Sequence, residues 1–193
     1  DMLLRHPEHF KVLKPQSAKM RALTTMVEQR RRLVNERGRI TNRLRSALKQ
    51  YYPQVLEWFD HIDTRLFCDF IERWPTLLQV KRARSSTLET FFRQHNMRFT
   101  HVLAGRIESI KTASPLTDDD AVIIPYRLQA LVLVELLRTA LAAIKHYDQE
   151  IARLAPQHPD YALFDALPGA GPSLALRLLV AFGEQRERFN SAA

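Results

Sequence analysis

The sequence predicts an all-α protein: a long antiparallel coiled-coil hairpin with a small inserted helical cluster, followed by a C-terminal helix-hairpin-helix. Three observations carry that expectation. Only 5 of 193 residues are glycine, so the chain has little material for the many tight turns of a sheet protein. Two segments of more than 30 residues show apolar residues at heptad spacing. Near the end, a Gly-x-Gly turn stands between two short apolar runs.

The first long helix is expected from about 17 to 51, with Ser17 as its N-cap and no proline before Pro53. Leu23, Arg30, Arg37, Leu44 and Tyr51 recur every seven residues, and Met26, Leu33, Ile40 and Ala47 form a second such series. Val27, Val34 and Leu48 widen the stripe, while Arg30 and Arg37 interrupt it. Gly38 stands in mid-helix, at a cost of about 1 kcal/mol relative to alanine. A second amphipathic helix is expected over 54–73 between Pro53 and Pro75, with Val55, Leu56, Phe59, Ile62, Leu66, Phe67, Phe70 and Ile71 as its apolar set. Two shorter helices follow, one capped by Ser85 or Ser86 and running to about His95, the other capped by Thr100 and running to about Lys111. After a break over 112–116, Thr117 caps a second long helix whose first turn holds Asp118, Asp119 and Asp120, acids that suit the positive end of the helix dipole. Its regular part is expected to begin around Pro125. The seam there is Leu131, Val134, Leu137, Leu141, Ile144, Ile151 and Leu154, with Asp148 as the exception, and it ends before Pro156. The two seams can pair within one chain or between two, and both readings stay open.

The formal net charge is +8, and its placement matters more than its size. Between Lys19 and Lys49 stand ten lysines and arginines against Glu28 and Glu36, so this one segment carries the whole excess. A helix that is merely solvated mixes signs. This one presents Arg30, Arg31, Arg32, Arg37, Arg39, Arg43 and Arg45, which points to a polyanion, with the guanidinium groups meeting a nucleic-acid backbone. The link Lys81-Arg82-Ala83-Arg84-Ser85-Ser86 is expected to be exposed and to add Lys81, Arg82 and Arg84 to the same surface.

In the motif Phe164-Asp165-Ala166-Leu167-Pro168-Gly169-Ala170-Gly171-Pro172-Ser173, a helix over 161–167 leads into a turn, and a second helix runs to about Phe182 with Gly183 at its C′ position. Gly169 and Gly171 let the backbone approach a ligand, Ala170 can tuck between the helices, and Pro172 suits the first helical position. Amide groups near Gly171 and Ser173 then face outward as a phosphate site, with Arg177 one turn on. Ser173 stands where many such motifs carry a basic residue, and a plain helix-helix turn without a ligand is the alternative reading.

Several chemistries are set aside. The lone Cys68 lies among Phe67, Phe70 and Ile71 and reads as core packing, with no disulfide framework and hence a reducing compartment. His6, His9, His61, His95, His101, His146 and His158 show no metal-ligand spacing. The acids 118–120 read as capping rather than a magnesium site, and Glu57, Asp60 and Asp63 as a solvated face. Trp58 and Trp74 read as core. No apolar run reaches 18 residues and no signal-peptide pattern opens the chain, so a cytoplasmic protein without membrane contact is expected.

The stretch from Leu33 through Asn35, Arg37, Arg39, Asn42 and Arg43 to Arg45 resembles the middle of the DEDD-type insertion-sequence transposases, a family that includes the Piv-type DNA invertases. Trp74-Pro75-Thr76-Leu77, Lys81-Arg82-Ala83-Arg84, Ser114-Pro115-Leu116-Thr117, the hairpin over 167–182 and Arg188-Phe189-Asn190-Ser191-Ala192 are similar too. Gly38 departs from the threonine of that pattern. The resemblance implies a RuvC-like domain with four acids and Mg²⁺ ahead of this chain, and a catalytic serine beyond it. Between them it implies a coiled coil that mediates assembly and contacts a guide RNA. Neither Asp1, Ser173 nor Ser191 matches a catalytic position, so no catalytic residue and no metal site are expected in this chain, which reads as a middle piece of a longer bacterial protein.

The expected organisation is a linker over 1–16, a coiled-coil and helical domain over 17–155, and a helix-hairpin-helix opening a C-terminal domain over 156–193. The expected role is a central segment of a DNA transposase or recombinase. Its partners would be DNA, a guide RNA and further copies of itself in a homodimer or higher oligomer. A purely structural coiled-coil dimeriser and a free-standing helix-hairpin-helix DNA-binding protein are the alternatives.

Overall fold

The structure, a computed structural model, describes residues 15–97 and 99–185. Most of the linker read over 1–16, His6 and His9, and the motif over 188–192 lie outside the described residues. Among those described there is no strand. Helices α1 (Ala18–Tyr51), α2 (Val55–Trp58), α3 (Arg65–Arg73), α4 (Leu77–Arg82), α5 (Ser85–Gln94), α6 (Thr100–Thr112) and α7 (Asp120–Leu154) are followed by a 3₁₀ turn (Ala155–Gln157), α8 (Tyr161–Asp165) and α9 (Pro172–Phe182). Helix α1 packs against α7. Among the described residues no helix is long and apolar enough to cross a membrane.

The fold divides into two compact units. In the first, described over 15–31 and 147–185, the start of α1 meets the end of α7: Met20, Leu23 and Val27 pack with Ile151, Ala155, Leu176 and Leu179. Ser17 caps α1 as its residue type predicts, its Oγ accepting from the Met20 amide at 3.1 Å. The same hydroxyl donates to Glu184 Oε1 at 2.6 Å, and the Ser17 amide donates to Oε2 at 2.6 Å. A carboxylate therefore closes the positive end of a 34-residue helix.

The second unit, 32–146, holds the larger core. Ile40, Leu44, Ala47 and Leu48 of α1 meet Ala130, Leu133, Val134 and Leu137 of α7, and α2 to α6 complete the cluster. Its centre is aromatic. Phe70 lies 4.9 Å from Phe59, 5.2 Å from Trp74 and 5.9 Å from Phe92, measured between ring centroids. Both tryptophans are buried here, and Trp58 satisfies its indole N–H on Ser109 Oγ at 3.1 Å. Cys68 is fully buried, and desolvation pushes its thiol up to about 11, which keeps it protonated and inert.

Four expectations about elements change. The helix expected over 54–73 is broken between Trp58 and Arg65. Thr64 takes the N-cap of α3, accepting from the Phe67 amide at 3.3 Å while donating to the His61 carbonyl at 3.2 Å. The bend also lets Phe59 and Ile62 both reach the core. Glu57, Asp60 and Asp63 therefore share no single helix face. Helices α5 and α6 start without side-chain caps, after Arg84 and Phe99, rather than from Ser85, Ser86 or Thr100. Helix α7 begins at Asp120, ahead of Pro125. Its first turn is held by Asp119, whose Oδ1 accepts from the Ala121 amide at 2.8 Å, while Thr117 Oγ1 accepts from Asp119 itself at 3.1 Å. Pro125 sits in the second turn, where its missing N–H gives up one backbone bond.

Candidate nucleic-acid interface

From Arg30 to Arg45 the arginines of α1 divide into three groups. Arg30 and Arg37, the two that interrupt the heptad seam, turn inward. Arg30 Nε donates to Asp148 Oδ1, so the polar exception in one seam meets the polar exception in the other. Arg37 lies 3.6 Å from Asp63 Oδ2. These two are structural cations, and Asp63 is a partner rather than a solvated acid.

The second group pairs locally. Arg31 reaches Glu28 at 2.9 Å and Arg39 reaches Glu36 at 3.2 Å, both one turn apart along the helix. The Arg39 side chain remains 76% exposed, and such a surface pair is worth less than about 1 kcal/mol, so a phosphate can displace it.

The third group is free. Arg32, Arg43 and Arg45 are exposed, and among the described residues none has an ion-pair partner. At 3.6 residues per turn, Arg32, Arg39 and Arg43 fall within roughly 40° of one another and span about 16 Å of helix. They form a cationic row beside the buried stripe of Ile40, Leu44 and Ala47.

The Lys81 link contributes less than its composition suggests. Lys81 is half-buried, its Nζ donating to the Ala113 carbonyl at 2.5 Å. Lys111 Nζ in turn donates to the Lys81 carbonyl at 2.7 Å and to that of Ala83. This lysine exchange ties α4 to the end of α6. Only Arg82 and Arg84 are left exposed on the link.

The glycine turn has the local geometry its residues dictate. Gly169 adopts φ +78°, a region that only glycine enters freely, and the Ala170 amide donates back to Leu167 at 3.0 Å. Ala170 is buried against the helices. Gly171 precedes α9, and Pro172 is its first residue. Gly171, Ser173 and Arg177 are exposed. The Leu174 and Ala175 amides already donate to the Gly171 carbonyl at 3.0 and 3.1 Å.

One feature of the second unit escaped the sequence reading. Asn42, Arg43, Ser46 and Gln50 of α1 and Tyr126 and Gln129 of α7 line an open groove of about 350 Å³ floored by Ala47. The polar spacing Asn42, Ser46, Gln50 is visible in the sequence, but Tyr126 and Gln129 join it only once α7 packs alongside. Among the described residues, no three His, Cys, Asp or Glu are gathered as a metal ion would need.

Fold and charge together define a class: a basic all-helical module that presents an arginine row on a long helix. Comparison with known proteins adds the particulars. Residues 1–53 match the family model for IS110 transposases, whose description is "Transposase". Over 176 residues the chain is 24% identical to a Streptomyces coelicolor protein named as a mini-circle transposase for IS117, an alignment covering 89% of this chain and 42% of that protein. The chain thus spans about two fifths of the relative's length. No solved structure matches it. Both likenesses are to transposases, and the family match includes the arginine helix α1.

Proposed function

We propose that this chain is the central nucleic-acid-binding and dimerisation segment of a DNA transposase of the DEDD type, and that α1 contacts the backbone of DNA, of a guide RNA, or of both. The observation that carries the reading is the row Arg32, Arg39 and Arg43. Arg32 and Arg43 are exposed with no ion-pair partner among the described residues, Arg39 is 76% exposed and pairs only with Glu36 one turn away, and the two arginines that could have been drawn inward already are. Three guanidinium groups at helical spacing suit phosphates and read no sequence. Arg82 and Arg84 add to the charge of this unit, and the Gly169–Gly171 turn with Ser173 and Arg177 forms a second backbone contact in the manner of a helix-hairpin-helix. In the antiparallel coiled-coil arrangement of α1 and α7, the outward face of α7 carries Ile124, Leu128, Val132 and Leu136 one turn apart and exposed, a surface for a second copy. The RuvC-like acids with their Mg²⁺ and the catalytic serine belong, in this proposal, to flanking domains.

The test is a salt titration. Affinity for a 20-base-pair duplex is measured by fluorescence anisotropy between 50 and 300 mM KCl for the chain and for the triple variant Arg32→Ala, Arg39→Ala, Arg43→Ala. Three phosphate contacts predict a log–log slope shallower by about 2 to 3 in the variant. An unchanged slope, with helicity retained, refutes the assignment and leaves a structural dimeriser.

A further inference from the structure

The groove between α1 and α7 in the second unit has a composition suited to a particular ligand. Its aromatic wall is Tyr126, half-buried and making no ring contact with another aromatic side chain among the described residues. Around that ring stand the amides of Asn42, Gln50 and Gln129 and the hydroxyl of Ser46. Among the described residues, none of these four side chains is engaged in a hydrogen bond within the protein. Arg43 lies at the lip and no carboxylate lines the groove.

Each component excludes alternatives. Without an acid, the groove does not suit a cationic ligand. Side-chain amides offer a donor and an acceptor together, which is the pattern on the edge of a nucleobase. A tyrosine face is the usual surface on which an unpaired base stacks. The volume lies at the small end of ligand sites, roughly 300–1,000 Å³, and suits one nucleoside rather than a helix or a strand. Arg43 is also the last member of the cationic row, so a backbone laid along Arg32, Arg39 and Arg43 is delivered to the groove.

We propose that the Asn42–Ser46–Gln50–Tyr126–Gln129 groove accepts a single unpaired nucleobase from the strand whose phosphates Arg43 holds, with the base stacked on Tyr126 and its edge read by the amides. This rests on the nucleic-acid reading of the arginine row and deepens it. The row would hold any backbone, whereas the groove selects a strand that has a base to give. A base stacked inside a duplex is not available to it without being flipped out.

The experiment compares four labelled probes of equal length at 100 mM KCl: single-stranded DNA, single-stranded RNA, a DNA duplex, and an abasic DNA strand. For the unaltered chain, both base-bearing strands are expected to bind more tightly than the abasic strand. Tyr126→Ala should weaken the better of them by about 5- to 150-fold, the range for losing one base–aromatic stack. It should leave duplex and abasic affinities within twofold, and Tyr126→Phe should retain most of the gain. Because Tyr126 also touches the core, the exposed pair Asn42→Ala with Gln129→Ala provides a second test that leaves packing alone and should cost several-fold on the same strand. A preference for RNA or for DNA supports base insertion and identifies the source. If the abasic strand binds as tightly as the others, or Tyr126→Ala weakens all probes equally, the groove proposal fails while the arginine row stands. If no probe binds even at 50 mM KCl, both readings fall.

Discussion

Replacing Arg30 and Asp148 by leucine, singly and together, tests whether the two arginines in the seam are structural. The pair joins α1 to α7 within the first unit, with side chains 30% and 48% exposed. Exposure of that order means that water screens much of the attraction, and holding two long side chains in one geometry costs entropy, so the coupling should be about 0.5–1 kcal/mol. Arg30→Leu leaves Asp148 half in water, and Asp148→Leu leaves Arg30 able to swing outward. Each single variant should therefore lose no more than about 1 kcal/mol, which in a chain of this size lowers the melting temperature by roughly 2–4 °C. The double variant completes an apolar seam and should melt at or above the temperature of the unaltered chain, as replacement of ion pairs by packed apolar residues often does. A double-mutant cycle by thermal denaturation measures the coupling, and 0.5 M KCl should shrink it. Nucleic-acid binding gives an independent readout. Arg30→Leu should leave the salt slope unchanged, whereas Arg32→Leu should reduce it by about 0.9 on duplex DNA. Strictly additive stability effects, together with a slope that falls for Arg30→Leu, would show that Arg30 faces phosphate and that the pairing with Asp148 is incidental.

Three further outcomes follow from the same structure. Gly38 is mid-helix with nothing within 4 Å of where a Cβ would stand, so Gly38→Ala should stabilise the chain by about 1 kcal/mol, read as a melting temperature raised by roughly 2–4 °C; a destabilised variant would show that α1 is not regular there. Glu184 is held below its ordinary value of 4.5, first by the Ser17 hydroxyl and then by the Ser17 amide. A carboxyl depressed in the folded state contributes its stability above the unfolded value and loses it as pH falls through the folded one. Glu184→Gln should therefore flatten the fall in melting temperature below about pH 4.5, and Ser17→Ala should do the same while costing about 1 kcal/mol as a lost cap; unchanged acid profiles would remove this tether. Leu128→Glu with Val132→Glu on the exposed row of α7 should convert any dimer to monomer in sedimentation velocity with little loss of helicity, and an unaltered distribution of species would place self-association elsewhere.

Much of the fold is legible in the sequence because helix periodicity is a local property. The heptad residues Leu23, Ile40, Leu44 and Ala47 are buried as their spacing requires, and Ser17, Gly183 and Pro172 mark helix ends by their own conformational preferences. What the sequence hides is decided between elements. The break after Trp58 depends on Thr64 winning a cap while Phe59 and Ile62 both find the core, and a periodicity count over 54–73 does not register that competition. Lys81 looks exposed in a basic run, yet it faces the Ala113 carbonyl from a helix 32 residues away. The groove is hidden for the same reason, since its two walls are separated by the 75 residues between Gln50 and Tyr126. The Arg30–Asp148 contact is the intermediate case. Each residue is visible as a fault in its own seam, and only the packing shows that the two faults coincide.

That coincidence bears on how one helix can serve both folding and binding. An arginine at a heptad position is costly in a core, and an arginine on an outer face is neutral to folding, so position alone decides its role. Arg30 and Arg37 fall on the seam and each finds a carboxylate, Asp148 or Asp63. Three other acids of the second unit pair elsewhere: Asp69 and Glu72 with Arg138 at 2.6 and 2.7 Å, and Glu89 with Arg93 at 2.7 Å. Asp119 caps α7. Among the described residues no acid pairs with Arg32, Arg43 or Arg45, and their charge survives folding as a surface feature of α1.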